Sequence, residues 1–200
     1  MIVPIVLAAG LGTRMGTSKP LLQIGDRPAL AIVLDTLGQA VAERPIVVVG
    51  HQHESVVSLA ERSGCVSVVN PDPGRGLSSS VRLGLDAVGP DAIGVLILHV
   101  DMPLVCASTI QAVLEKASEG TAIVAPSYQS QRGFPVYFRQ DQLPALRASL
   151  QGDSGGKAFI AEHRSLLQLV PVDDPGCVRD FDTPADLEAL KGELPCAIKE

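Results

Sequence analysis

Four short runs of Val, Ile and Leu, separated by longer amphipathic stretches, organise the first half of this sequence. The runs cover residues 5–7, 46–49, 66–69 and 95–100. Such alternation is typical of βαβ units. Because the runs are apolar at nearly every position rather than alternating, we expect helices to cover these strands on both faces, as in a parallel sheet. The sequence therefore predicts an α/β protein with a Rossmann-like, three-layer α/β/α fold and a mainly parallel central sheet.

The stretches between these runs repeat apolar residues at intervals of three and four, which predicts helices. The expected helices cover residues 28–43, 54–62, 78–88 and 108–118. After Gly120 the pattern predicts two strands, over 121–125 and 135–138, joined by a polar loop, 126–133, that could cover a site. Helices over 154–163 and 184–190, with a strand over 166–172 between them, complete the expected order.

Length and composition narrow the class of protein. A chain of 200 residues with 46% hydrophobic side chains suits one domain over residues 1–200. A net charge of -6 and an aromatic content of 3% argue against a nucleic-acid partner. The apolar N-terminus is too short for a membrane span and lacks a basic flank, so no membrane partner is expected. The four cysteines are scattered without a zinc spacing, which favours a reduced, cytoplasmic setting.

A glycine-rich segment with two cations directly follows the first predicted strand. Residues 7–16 read LAAGLGTRMG, and Lys19 follows shortly after. Glycines at 10, 12 and 16 permit close approach of the backbone, so that N–H groups can point at phosphate oxygens. Arg14 and Lys19 would add positive charge. We therefore expect this segment to bind the phosphates of a nucleotide.

Three other interpretations of this segment fit it less well. A dinucleotide fingerprint requires an acidic residue near the end of the second strand, where this chain has Val49, Gly50 and His51. A Walker loop requires Gly-Lys-Ser/Thr, whereas Lys19 stands between Ser18 and a proline. A flexible turn would explain the glycines but not both cations.

Acidic residues form the second signal. Asp101 follows the strand at 95–100, and ligands of open α/β sheets bind at the carboxyl ends of strands, so a metal ion is expected there. A turn or helix cap is the alternative role for this short acid. In the segment 180–186 (DFDTPAD), two acids could reach a divalent cation, but Thr183 and Asp186 also resemble a helix start.

Several weaker motifs remain open between binding and structural roles. The segment 74–81 (GRGLSSSV) could bind phosphate, ribose or base, or simply cap a helix. The segment 152–157 (GDSGGK) could contact an acceptor or form a turn. The histidines at 51, 53 and 163 are expected on the surface, and His99 is expected to be a buried, hydrogen-bonded residue. Cys106 and Cys177 are expected to be packing residues rather than nucleophiles.

Taken together and in this order, the motifs resemble those of the molybdenum cofactor nucleotidyltransferases, in particular the cytidylyltransferase-like branch. The matching segments are LAAGLGTRMGTSKPLL at 7–22, GLSSSV at 76–81, DMP at 101–103, GFP at 133–135 and DFDTP at 180–184. The resemblance spans residues 3–190 and implies the nucleotidyltransferase, or nucleotide-diphospho-sugar transferase, type of fold. It also implies nucleotide binding by residues 1–105, acceptor binding by 106–192 and a tail at 193–200.

The resemblance carries site residues over to matching positions. The implied catalytic residues are Arg14, Lys19 and Asp101, and the implied metal ligands are Asp101 and Asp182, for Mg²⁺ or alternatively Mn²⁺. The implied nucleotide-binding residues are Leu7, Ala8, Ala9, Gly10, Leu11, Gly12, Thr13, Arg14, Met15, Gly16, Lys19, Asn70, Gly76 and Ser79. The implied acceptor-binding residues are Gly133, Phe134, Pro135, Gly152, Asp153 and Lys157.

The implied reaction is transfer of CMP from CTP to the terminal phosphate of molybdopterin cofactor, with release of pyrophosphate. The AAG at 8–10 is similar to the cytidylyl branch, whereas guanylyl relatives usually carry AGG. The branch commonly has Gly-His-Pro where this chain has Phe134 between Gly133 and Pro135, which leaves the acceptor open. A guanylyl or sugar-phosphate nucleotidyltransferase and a non-catalytic cofactor chaperone for a molybdoenzyme are the alternatives.

Overall fold

The structure of the protein, a computed structural model, describes residues 1–10, 18–50 and 54–190. Its centre is one eight-stranded sheet, accompanied by a separate two-stranded hairpin. In chain order the strands are β1 (Ile2–Ala8), β2 (Gln23–Ile24), β3 (Arg27–Pro28), β4 (Ile46–Gly50), β5 (Val66–Asn70), β6 (Gly94–His99), β7 (Ile123–Tyr128), β8 (Gln131–Arg132), β9 (Val136–Arg139) and β10 (Leu167–Pro171).

The main sheet has the order β10-β7-β9-β6-β1-β4-β5, and β8 pairs with β7 outside this path. Strands β6, β1, β4 and β5 pair in parallel, and so do β7 and β10. Only β8 and β9 run against the others within this sheet. The prediction of a mainly parallel central sheet is therefore confirmed.

Helices lie on both faces of the sheet, as the apolar runs predict. The expectation of full cover is wrong for β5, because it is an edge strand in which Val66 and Val69 are 42% and 48% exposed. The helices are α1 (Ala29–Ala40), α2 (Glu54–Arg62), α3 (Leu77–Asp86), α4 (Ala107–Ser118), α5 (Leu143–Ser149), α6 (Lys157–Glu162) and α7 (Pro184–Leu190). Along β1, Val6 and Ala8 pack in one cluster with α1, α2 and α4. Ile5 and Leu7 point the other way and pack with α3, α5 and α6. The result is the expected three-layer α/β/α arrangement.

A third apolar cluster attaches the last described helix. It joins the β2–β3 hairpin, α1 and the segment after β6 to α7 through buried side chains. Its members are Ile24, Ala29, Ile32, Leu104, Phe181, Leu187 and Leu190. This cluster fixes residues 180–182 beside the carboxyl end of β6.

Two local expectations need correction. The segment 126–133 is not a loop over a site, because β7 continues to Tyr128 and a tight turn at Gln129 and Ser130 returns the chain into β8. Both turn residues have positive φ, 47° and 67°. Such turns usually carry Asn or Gly, so the sequence lacked the usual signal. Helix α6 also begins only at Lys157, after a 3-10 turn over Gly152–Ser154.

The three cysteines among the described residues divide into two kinds. Cys65 and Cys177 are free and buried, and burial raises the pKa of Cys177 to about 11, which suits the expected packing role. The expectation of reduced cysteines is wrong for Cys106, which is disulfide-bonded. Among the described helices, none is both long and apolar enough to cross a membrane.

Candidate active site

An open cleft of about 480 Å³ lies at the carboxyl ends of β1 and β6. In open α/β sheets this edge is the usual ligand site. The cleft is lined by Leu7, Ala9, Gly10, Lys19, Pro20, Pro73, Gly74, Gly76, Leu77, Ser80, His99, Val100, Asp101, Asp153 and Asp182. Residues from five of the motifs singled out in the sequence, although distant along the chain, therefore meet around one space.

Lys19 connects two acidic residues at the floor of this cleft. Its Nζ donates to Asp101 Oδ2 at 3.1 Å and to Asp182 Oδ1 at 2.5 Å. The ammonium also lies 5.5 Å from the centre of the Phe181 ring. The side chains of Lys19 and Asp101 are only 13% and 21% exposed, so these charges interact in a partly water-excluded space.

The burial of Phe181 explains how the C-terminal acids reach the cleft. Phe181 is fully buried, and its backbone N–H donates to the carbonyl of Asp101 at 3.1 Å. Asp180 and Asp182 flank it, and in extended chain neighbouring side chains point to opposite sides. Carboxylate oxygens of Asp101, Asp180 and Asp182 lie within 4.8 Å of one another. Such an all-oxygen donor set suits a hard divalent cation.

The local charges set the protonation of two groups. Burial alone would lower the pKa of Lys19, but its hydrogen bond to Asp182 and the charge of Asp101 raise that pKa above its ordinary value. Lys19 is therefore a cation at neutral pH. Burial lowers the pKa of His99, although the charge of Asp101 opposes this shift. The lowered pKa keeps the imidazole neutral near pH 7.

Of the two roles expected for the acids of 180–186, metal binding and a helix start, Asp186 has the second. Its carboxylate accepts from the Thr183 N–H and hydroxyl, both at 2.8 Å, while its own N–H donates to the Thr183 hydroxyl at 3.2 Å. This reciprocal pair is a capping box at the start of α7. The acids of the segment 180–186 thus divide, with two at the cleft and one at a helix start.

The N-terminus of α3 forms one wall of the cleft. Gly76 has a φ of 89°, and an added Cβ would lie 2.5 Å from Asp153 Oδ1 and 2.6 Å from the Gly152 backbone. Asp153 Oδ1 accepts from the Leu77 N–H at 3.2 Å. Only glycine permits this approach. The segment with Asp153, expected on the acceptor side, therefore borders the larger cleft.

Asn70 supports this wall from behind. It is 2% exposed, and its Nδ2 donates to Ser79 Oγ at 2.8 Å and Ser80 Oγ at 2.9 Å. Its Oδ1 accepts from the Asp72 N–H at 3.0 Å. Asn70 and Ser79 do not line the cleft, whereas Ser80 does. These contacts indicate that Asn70 positions the start of α3.

A smaller cleft of about 140 Å³ adjoins the first and shares Leu7, Leu77, His99 and Asp101 with it. Its other lining residues are Val81, Ile97, Met102, Arg132, Phe134, Val136, Phe138, Ser154, Gly156, Lys157, Ile160 and Asp180. The Phe134 ring meets His99 edge-on, with ring centres 4.4 Å apart. Two reactants, one in each cleft, would therefore meet beside Asp101.

The backbone before Phe134 is fixed by close contacts. An added Cβ at Gly133 would lie 2.3 Å from the Cys177 carbonyl oxygen, and the Phe134 N–H donates to that oxygen at 2.8 Å. The Phe134–Pro135 peptide bond is cis. Gly133 and Pro135 do not line either cleft, so they act on the site through the position of Phe134.

The expected site residues are distributed as follows. The larger cleft gathers Leu7, Ala9, Gly10, Lys19, Gly76, Asp101, Asp153 and Asp182, and the smaller one gathers Phe134 and Lys157. Ala8, Asn70, Ser79, Gly133, Pro135 and Gly152 do not line either cleft. Leu11, Gly12, Thr13, Arg14, Met15 and Gly16, and also His51 and His53, lie outside the described residues.

Sequence reasoning missed three prominent residues of the two clefts. Asp180 was considered only as one of several acids, although the pattern Asp-Phe-Asp around a buried aromatic could have indicated it. Arg132 precedes the expected acceptor motif and carries no signal of its own. His99 was expected to be a buried, hydrogen-bonded residue, whereas it faces both clefts.

The fold and the cleft together define a class of protein, the nucleotidyltransferases with an α/β sheet, a basic residue and clustered acids at the carboxyl edge. The chain belongs to the family of the MobA-like NTP transferase domain, whose model matches residues 4–166. Members of this class transfer nucleotides, so the chain is an enzyme of the nucleotidyltransferase family.

Individual relatives support this placement. The structure of Rv0371c from Mycobacterium tuberculosis H37Rv superimposes with a TM-score of 0.86 at 30% identity, covering 97% of this chain and 100% of the other. Its complex with manganese gives a TM-score of 0.82 at 29% identity, over 96% and 99% of the two chains.

Two further relatives differ from a simple nucleotidyltransferase of this size. One is named an oxidoreductase, and the other is a much longer, bifunctional protein. Nicotine blue oxidoreductase from Paenarthrobacter nicotinovorans is 27% identical over 90% of this chain and 91% of its own length. The bifunctional protein GlmU from Bordetella petrii is 30% identical over 96% of this chain. The chain spans 43% of the length of that GlmU.

Proposed function

We propose that this protein transfers CMP from CTP to the terminal phosphate of molybdopterin cofactor and releases pyrophosphate. The observation that carries the proposal is the convergence of Lys19, Asp101, Asp180 and Asp182 where two clefts adjoin. A cation and three carboxylates at this position can bind a triphosphate with its metal ion. A protein that only carried the finished cofactor would not need a site for a triphosphate and its metal ion.

The two clefts would divide the substrates. The larger cleft, of about 480 Å³, would take CTP, with its phosphates toward the end of β1 and Lys19. The smaller cleft would take the phosphate-bearing end of the acceptor. In this arrangement the N-terminal part of a single domain, up to about residue 105, binds the nucleotide, and the part up to residue 192 binds the acceptor.

Ala9 supports the choice of CTP. Ala9 lines the larger cleft and stands where guanylyl members of the resembled family usually carry a glycine. A methyl group there narrows the space beside the base, which disfavours a purine. Replacing Ala9 with glycine should therefore relax selectivity between CTP and GTP.

Magnesium is the proposed metal ion, and Asp101, Asp180 and Asp182 would hold it. When bound, the ion supplies charge neutralisation for the triphosphate and the leaving pyrophosphate. Lys19 now neutralises two of these carboxylates, so we expect its ammonium to move onto phosphate oxygens when nucleotide and metal enter together.

The reaction needs no protein base. A phosphate monoester is largely dianionic near neutrality, so one of its oxygens can attack the α-phosphorus directly. The new oxygen–phosphorus bond forms as the bond between the α-phosphorus and the bridging oxygen breaks, and the electrons leave with pyrophosphate. His99, neutral at this pH, would stay a polar wall of the cleft rather than a proton carrier.

The proposal is tested with purified protein, Mg²⁺, molybdopterin cofactor and each of the four ribonucleoside triphosphates in turn. Pyrophosphate release and product mass are measured, with Asp101→Asn as the control variant. CTP-selective release with a cytidine dinucleotide product is the expected result. Selectivity for GTP would instead favour the guanylyl alternative. Activity only with a sugar phosphate would overturn the choice of acceptor.

The relative named as an oxidoreductase gives the test a further arm. The three carboxylates and Lys19 favour nucleotidyl transfer over hydride chemistry, because hydride transfer requires neither a metal nor a triphosphate site. Consumption of a reduced nicotinamide dinucleotide, without pyrophosphate release from any triphosphate, would decide against the proposal.

A further inference from the structure

Arg132 is a half-buried cation that has no ion pair among the residues that the structure describes. It lies in β8 and lines the smaller cleft. Burial lowers the pKa of its guanidinium, with no opposing contribution from a carboxylate. Partial burial of an unpaired charge is costly. Such a group therefore indicates a ligand that supplies the missing negative charge.

The backbone holds Arg132 in place before any ligand arrives. Arg132 pairs with Ser127 across the β7–β8 ladder. The next residue, Gly133, lies so close to Cys177 that a side chain larger than hydrogen would collide with the Cys177 carbonyl. Because the cross-strand pairing of Arg132 and the position of Gly133 are both fixed, the Arg132 side chain reaches the cleft from a rigid backbone.

The other lining residues of the smaller cleft define the rest of the ligand. Lys157 adds a second cation at its exposed rim, and Asp180 and Asp101 stand on the side toward the larger cleft. Between these charges the wall is apolar and includes Met102, Phe134 and Phe138. A suitable ligand would be anionic at one end and would carry a flat, apolar body beside that charge.

We propose that the smaller cleft is a phosphomonoester site in which Arg132 binds the phosphate and the Phe134 wall receives an apolar ring or planar group attached to it. The inference rests on the proposed function, in which this cleft binds the acceptor. It narrows the acceptor to an organic phosphate whose neighbouring group is not strongly polar. Arg132 becomes a specificity-determining residue.

The chemistry of the guanidinium fits this role. Its planar fork can donate to two oxygens of one phosphate, which leaves the third oxygen free to face the α-phosphorus in the larger cleft. Lys157 would add charge without fixing orientation. The phosphate dianion itself is the nucleophile, so no proton has to move through Arg132. Arg132 therefore stays protonated throughout the reaction.

The test uses phenyl phosphate and methyl phosphate as probes for binding to the full chain without nucleotide. Binding is measured by calorimetry, and the Arg132 Nε–H signal is followed by NMR. Arg132→Gln removes the charge, Arg132→Lys keeps it without the fork, and Arg164→Gln is the matched control, since Arg164 is exposed and lines neither cleft.

We expect phenyl phosphate to shift the Arg132 signal and to bind at least fivefold more tightly than methyl phosphate. Arg132→Gln should weaken phenyl phosphate binding at least tenfold, Arg132→Lys by an intermediate factor, and Arg164→Gln less than twofold. The proposal is overturned if the wild-type protein does not bind phenyl phosphate, or if Arg132→Gln binds it as the control does. Equal affinities for phenyl phosphate and methyl phosphate would refute the proposed contact between the Phe134 wall and an apolar group.

The outcome separates this inference from the proposed function. Arg132-dependent binding of phenyl phosphate, without turnover of any nucleoside triphosphate, would leave the phosphate site standing and remove the proposed reaction. Turnover of CTP with an unchanged acceptor KM in Arg132→Gln would keep the proposed reaction and remove Arg132 from the phosphate site. When both hold, Arg132→Gln raises the acceptor KM at least tenfold, while the KM for CTP changes less than twofold.

Discussion

Replacing Lys19 by methionine should make divalent metal ions bind more tightly in the absence of nucleotide. Lys19 already occupies part of the carboxylate cluster, through ion pairs of 3.1 Å to Asp101 and 2.5 Å to Asp182. A metal ion must displace this ammonium before it can use those oxygens. Methionine keeps an unbranched side chain out to the Cε position and lacks the ammonium, so the competition with the metal ion ends.

The expected gain follows from the exposure of the paired groups. Two unit charges about 4 Å apart interact by about 4 kcal/mol at an effective dielectric constant of about 20. The pair with Asp182, whose side chain is 46% exposed, belongs nearer the surface range of about 0.2–1 kcal/mol. The pair with Asp101 is less exposed, so together we expect about 2 kcal/mol, or roughly thirtyfold tighter binding.

The assay is titration of Mn²⁺ into the apo protein, followed by electron paramagnetic resonance or calorimetry. Lys116→Met is the matched control, because Lys116 pairs with Glu119 on the surface of α4, away from both clefts. With CTP and acceptor present, the Lys19 variant should nevertheless lose activity, since its charge is needed on the triphosphate. Unchanged or weaker Mn²⁺ binding in Lys19→Met would refute the idea that the lysine competes with the metal.

Three further perturbations test the site and its scaffold. Asp101→Asn should lower metal-dependent turnover by roughly 100-fold or more, because developing charge loses its compensation; full turnover in steady-state kinetics would remove Asp101 from the metal site. Gly133→Ala should destabilise the fold by about 1–3 kcal/mol in urea unfolding, since its Cβ would lie 2.3 Å from the Cys177 carbonyl oxygen. The Asp86 pKa is lowered chiefly by the hydrogen bond from Arg147, so the carboxylate stabilises the folded state above its unfolded pKa, and this contribution disappears as pH falls through the folded pKa. Asp86→Asn should therefore cost about 0.5 kcal/mol at pH 7 and nothing in strong acid, and a constant difference across pH would contradict this.

The main strands and most helices were predictable because their signals are local. A strand covered on both faces is apolar at nearly every position, and the run 46–49, which becomes β4, has this pattern. The helix over Glu54–Arg62 was predicted to the residue, since its apolar positions recur at helical spacing and its ends are polar. The carboxyl-edge position of Asp101 follows from the same reasoning.

Features that depend on distant contacts were not predictable. The turn at Gln129 and Ser130 adopts positive φ at residues that rarely do so, because pairing of β8 with β7 holds it. Helix α5 was missed, as its single fully buried side chain, Leu146, gives only a weak apolar period. The role of Asp180 depends on the burial of Phe181 in the third cluster, which no short sequence window contains.

The antiparallel strand β9 explains why the two clefts adjoin. In a purely parallel doubly wound sheet, β7 would pair directly with β6, and the carboxyl edge beyond His99 would continue as one groove. Here β9 lies between them and pairs with both β6 and β7. Because β9 runs antiparallel to β6, it begins at the carboxyl edge of the sheet, just after Phe134. Phe134 and Arg132 thereby stand beside His99 and Asp101. In the proposed reaction, an acceptor in the smaller cleft would lie on the side of β9 and a nucleotide would lie over β1, so that displacement would run along a line between the two clefts.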